Sequence, residues 1–166
     1  MHSVIQVKNI FFNCEPSKYK NKLRTERGRQ QDLELTQAPT IIFSEELANI
    51  GGTPYLRAPF FSITPNGGFP ASLQFVINCQ IPSIQAEIGE TLEIQIEFVN
   101  KSTGEKLFAS DKLSFEVNEP VNGLTLNFDK IVVPIAQAGI YEARLSINGN
   151  VIATNELSAR EPRKLA

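Results

Sequence analysis

At 166 residues, 42% hydrophobic and 20% charged, the chain has the size and composition of one globular domain with a real core, not of a disordered or fibrous protein. A single histidine (His2), two distant cysteines (Cys14 and Cys79) and no tryptophan exclude a histidine-built metal site, a disulfide framework and Cys-x-x-Cys zinc spacing. The net charge of −2 hides an asymmetry: residues 17–30 carry six basic residues and one acid, +5, against −7 for the remainder.

In chain order, SVIQVKNIFF (residues 3–12) is the first strand candidate, because Ile5 and Val7 alternate with polar neighbours. The start has no basic leader, continuous apolar run and small-residue cleavage site together, and no run is long enough for a membrane helix, so a cytoplasmic protein without membrane contact is expected. Residues 15–32 follow as a loop or insertion. Lys18, Lys20, Lys22, Arg24, Arg27 and Arg29 make it basic, and Tyr19 is its only aromatic. It reads as a solvated loop, as a contact for a protein partner, or as a phosphate-neutralising arm. One aromatic gives thin stacking support for single-stranded nucleic acid.

Residues 44–68 form an expected irregular segment. Ser44 is placed to cap a helical turn over Glu45–Ala48 that Gly51-Gly52 would stop. The following Tyr55–Phe69 stretch is apolar but broken by Pro54, Pro59 and Pro65 around it, which fits edge pieces or a loop packed on a sheet. Its Tyr55, Phe60, Phe61 and Phe69 are either core cover or an exposed patch for a partner or a second copy.

The C-terminal hundred residues are more regular. Leu73, Phe75, Ile77, Cys79 and Ile81 recur at every second position, as do Leu92, Ile94, Ile96 and Phe98. Asn100–Gly104 reads as a turn, and EKLFASDKLSFEV (105–117) as a strand interrupted near Ser110-Asp111 by a bulge or a change of sheet. Leu124, Leu126 and Phe128 alternate in the next strand, which Pro134 is expected to end. Tyr141, Ala143, Leu145 and Ile147 share one face of another. Asn148-Gly149 signals a type I′ hairpin, VIATNELSAR returns, and residues 161–166 form a tail. Short strands without a convincing helix predict an all-β fold, a single antiparallel β-sandwich over residues 1–160.

Catalytic chemistry finds little purchase. Cys79 lies in the apolar register of its strand, where a cysteine acts as a small hydrophobe. Cys14 adjoins Glu15, which opposes thiolate formation. No Gly-rich phosphate loop and no calcium-loop pattern is present, and no cofactor is implied. Asn100-Lys101-Ser102 matches a glycosylation sequon without an export signal beside it.

The segment QAGIYEARLSINGNVIATNEL resembles the last hairpin of immunoglobulin-like sandwiches, with Gly139 and Tyr141 in the places of the Gly-x-Tyr pair that opens the penultimate strand. The resemblance implies that the Tyr141 hydroxyl pins a corner. Ala143 stands where antibody-type domains carry a cysteine, which separates the chain from that branch. Residues 69–160 are also similar to small strand-rich bacterial and phage proteins. These features together set the expectation of a non-catalytic binding or accessory module, acting on a protein through residues 15–32 and 55–69, of a kind suited to a host–phage conflict system. Homo-oligomerisation stays open. Nucleic-acid binding through residues 18–29 and a carbohydrate- or ligand-binding sandwich are the competing readings.

Overall fold

The computed structural model describes residues 34–35 and 37–163. The first strand candidate, Cys14, His2, the basic residues Lys18, Lys20, Lys22, Arg24, Arg27 and Arg29 and the aromatic Tyr19 among them lie outside the described residues, as do residues 164–166.

Eleven strands and no helix make up the described residues: β1 (Glu34–Leu35), β2 (Thr40–Ile50), β3 (Thr53–Phe60), β4 (Ser62–Ile63), β5 (Ala71–Gln85), β6 (Thr91–Asn100), β7 (Lys106–Ala109), β8 (Leu113–Glu116), β9 (Val121–Ile135), β10 (Gly139–Ile147) and β11 (Asn150–Ala159). They form two sheets. In the first, β5 is central, with β9 on one flank and both β1 and β2 on the other, and β3 lies outside β2. In the second the order is β4-β11-β10-β6, and β7 and β8 pair in succession along the far side of β6. All pairings are antiparallel except the two-residue contact of β4 with β11.

The expected alternation fills the space between the sheets. Phe75, Ile77, Cys79 and Ile81 of β5 face Leu92, Ile94, Ile96 and Phe98 of β6 and Tyr141, Ala143, Leu145 and Ile147 of β10 in one apolar core. An aromatic chain crosses it. Phe43 and Phe75 from the first sheet meet Phe98 from the second, with ring centroids 5.4 Å apart for Phe75–Phe98 and 6.2 Å for Phe43–Phe98, and Tyr141 stacks on Phe98 at 5.9 Å. Such pairs add about 0.5–1.5 kcal/mol each beyond the area that they bury. The Tyr141 hydroxyl donates to the Gln137 carbonyl at 2.8 Å, pinning the turn into β10.

Three expectations are corrected in detail. Residues 44–50 are strand, not a helical turn, and most of the 44–68 segment is regular: β2 and β3 are a hairpin closed by Gly51-Gly52, both at positive φ (59° and 85°). Two adjacent positive-φ residues fit a two-residue hairpin turn better than a helix stop, and the prolines at 54 and 59 sit on an edge strand where their missing N–H costs little. The interruption at Ser110–Lys112 is the expected bulge and not a change of sheet, since β7 and β8 both pair with β6 and residues 110–112 oppose only Gln95 and Ile96. Pro134 does not end β9, which runs to Ile135.

β9 also contains a bulge. Phe75 pairs with Ile131 while Ile77 pairs with Phe128, so Asp129 and Lys130 together oppose Val76. Lys130 has φ 54°. The extra residue changes the parity of inward positions from Leu124, Leu126 and Phe128 to Ile131, Val133 and Ile135, all buried.

Candidate functional site

The β2–β3 hairpin positions the exposed aromatic residues. β5 pairs with β2 only from Thr40 to Ser44, whereas β3 follows β2 from Phe43 to Ile50. Among the described residues, the ribbon Glu45–Arg57 therefore has no third strand. A two-stranded ribbon is marginal alone in water, so its local order depends on what its faces contact.

Register assigns those faces. Phe43 and Phe60 pair on the core side, so Leu47 and Leu56, also paired, continue that side beyond the sandwich. The opposite face carries Glu46 against Arg57, Ala48 against Tyr55 and Ile50 against Thr53. Glu46 and Arg57 form an exposed ion pair at 3.3 Å, which contributes at most about 1 kcal/mol. Beside them Tyr55 is 40% exposed and Ile50, at the tip, 67%.

Ser44 anchors the base of the ribbon. Its buried hydroxyl donates to the Arg57 carbonyl at 2.6 Å and lies 3.0 Å from the Glu46 carbonyl, holding the ladder across Ala58, whose φ is 51°. Past Phe60 the chain turns toward the second sheet. Phe61, 74% exposed, sits on that crossing, and its carbonyl accepts from Ser158 N–H at 3.0 Å. The crossing residues and the start of β5 border an open groove of about 540 Å³, with Phe60, Ile63 and Leu73 on its apolar side and Glu45, Asn66 and Gln74 among its polar groups.

The predicted aromatic residues thus divide. Tyr55 and Phe61 face solvent about 20 Å apart along the ribbon, taking ~3.3 Å per residue. Phe60 and Phe69 are half-buried against the core. Phe60 lies 6.3 Å from Phe43 and 6.1 Å from Phe75, which makes it part of the aromatic chain. Ile50 joins Tyr55 without having been expected; the readable signal is an isoleucine directly before Gly51-Gly52.

Elsewhere the polar groups serve the fold. Asn100 is buried, and its Oδ1 accepts from Ser102 N–H, Ser102 Oγ and Thr103 N–H, so the sequon asparagine shapes its own turn. On the outer face of the second sheet Glu142 accepts from Arg144 at 2.7 Å and lies 3.9 Å from Lys101. The hydrogen bond to Glu156, with the Glu156 and Glu142 charges, raises the Lys101 ammonium above the ordinary lysine range. Burial pushes the Cys79 thiol up to about 12, so it stays protonated at neutral pH and is not a nucleophile there. No group of three His, Cys, Asp or Glu among the described residues is arranged to hold a metal ion, and no described helix is long and apolar enough to cross a membrane.

No protein-family model and no curated protein matches the sequence. The structure is similar in part to that of the Pseudomonas fluorescens alkylpurine DNA glycosylase AlkC bound to DNA containing an abasic-site analogue, with 14% identity and a TM-score of 0.35 over 60% of this chain. The chain spans 28% of that protein. A likeness of that degree bears on neither activity nor ligand.

Proposed function

We propose that the chain is a non-catalytic protein-binding module, an immunoglobulin-like sandwich that engages its partner through the β2–β3 ribbon. The observation that carries this reading is the ribbon itself. It runs past β5 without a third strand among the described residues and presents Ile50 and Tyr55 on one face, with Phe61 at its base. Apolar side chains on a ribbon that is marginal in isolation gain both burial and order when a partner covers them. Aromatic and aliphatic anchors ringed by charged neighbours such as Glu46 and Arg57 have the composition of an interface centre with a polar rim. The Tyr141–Gln137 hydrogen bond supports the immunoglobulin-like lineage.

The test compares wild type with an Ile50→Asp/Tyr55→Asp double variant in affinity capture from cells that naturally contain the protein. Thermal melts first confirm that both are folded. Proteins retained by wild type and lost by the variant, then reproduced as a purified pair, support the reading. Equal recovery of every partner by the two forms removes the ribbon from the function.

A further inference from the structure

Asn-Gly occurs three times in the described residues, as Asn66-Gly67, Asn122-Gly123 and Asn148-Gly149. This dipeptide is chemically fragile. A following glycine has no side chain to hinder its own backbone nitrogen from reaching the asparagine Cγ. The fold treats the three copies differently.

Asn148 is held twice. Its N–H donates to the Glu93 carbonyl at 2.8 Å and its Oδ1 accepts from Glu93 N–H, also at 2.8 Å, so the side chain copies a ladder rung. Its φ of 50° fixes the residue in the left-handed turn. Asn122 is a strand residue, opposite Ser83, with Val121 and Leu124 paired on either side of the dipeptide. Swinging its Cγ onto the Gly123 nitrogen requires breaking the β5–β9 ladder locally.

Asn66 has neither restraint. It is exposed in the Pro65–Gly68 turn, which is closed by the bond from Gly68 N–H to the Pro65 carbonyl at 3.0 Å and leaves the Gly67 N–H outside that bond. Open space surrounds Gly67, where an added Cβ would meet no atom within 4 Å.

We infer that Asn66 is a site of spontaneous covalent modification, converting to isoaspartate and aspartate ahead of Asn122 and Asn148. Base in solvent removes the Gly67 amide proton. The nitrogen attacks Asn66 Cγ, the bond from Cγ to the side-chain nitrogen breaks, and ammonia leaves with the returned proton. Water then opens the resulting succinimide at either carbonyl. The net change is water in and ammonia out, with no oxidation or cofactor. The product places a new carboxylate on the groove that Glu45 also borders, beside the turn that abuts Glu161.

The test incubates the full chain in warm, mildly alkaline buffer made with heavy-oxygen water. Electron-transfer fragmentation of its peptides then locates the incorporated label and separates isoaspartate from aspartate. The expected result is label at Asn66 about tenfold faster than at either other site, equivalent to ~1.4 kcal/mol of barrier. Gly67→Ala slows conversion at Asn66 by a similar factor. In denaturant the three sites converge, because the fold no longer holds Asn122 and Asn148. Label at Asn122 or Asn148 as fast as at Asn66 in the folded chain overturns the assignment, and so does an unlabelled Asn66.

Discussion

Asn155 offers a sharp test of how the two sheets are joined. Beyond Phe60, β3 gives β2 no further backbone partner, and β11 comes close to the start of β2. There the Asn155 Nδ2 donates to the Ile41 carbonyl at 2.8 Å, while its Oδ1 accepts from Glu156 N–H at 2.9 Å. The bond runs from the second sheet to the main chain of the first, and Ile41 is 5% exposed. Asn155→Leu keeps the volume and removes the donor. A buried carbonyl that loses its partner costs about 1–3 kcal/mol. For a chain of this length, ~2 kcal/mol lowers the melting temperature by about 4–8 °C. Thermal and urea denaturation read the change. Asn155→Asp, which loses the donor and sets a carboxylate against the carbonyl, falls further. An Asn155→Leu protein that melts within a degree of wild type refutes the idea that this contact ties the sheets together.

Two other outcomes follow from buried groups. Ser44→Ala removes the hydroxyl that reaches the Arg57 carbonyl; it lowers stability by about 1–2 kcal/mol and speeds amide hydrogen exchange in Glu46–Arg57 more than in β6 or β10. For Cys79, the folded thiol titrates near 12 against about 9 for an ordinary thiol, so the folded state binds the proton more tightly. Its stabilising contribution is complete below about pH 9 and is lost as pH rises toward about 12. Native protein accordingly resists thiol reagents at Cys79 near pH 8, and peptide mapping shows labelling only after unfolding. Labelling in the native state at the unfolded rate contradicts the burial.

The sandwich was legible wherever one face of a strand is wet. TLEIQIEFV alternates because Glu93, Gln95 and Glu97 face outward while the residues between them are buried, and periodicity reports that difference. The β2–β3 ribbon was not legible for the converse reason. With little of it in the core, IIFSEELANIGG shows no two-residue period past Phe43, and Ser44 with two glutamates imitates a helix start. Tyr55 and Phe61 stand in the same sequence context as Phe60 and Phe69. Only the register, which turns Phe60 toward Phe43 and Phe75, separates core from surface there. The Asn155 contact spans 114 positions in the chain and has no local signature at all.

The two-against-one step in β9 has a consequence for how this chain is compared with its descendants. Inward residues before Asp129 are even-numbered and those after Lys130 odd-numbered, because the step holds one residue more than the pleat needs. Losing one residue there would leave Phe128 and Ile131 two positions apart, so Ile131, Val133 and Ile135 would stay inward on a regular ladder. Losing one elsewhere in β9, with the step kept in place, would turn the residues beyond it to the other face. Residue number at the step can change by one without reversing a face. An alignment that opens a single gap at Asp129-Lys130 therefore still joins two chains with the same inward face, and one that opens it elsewhere in β9 does not.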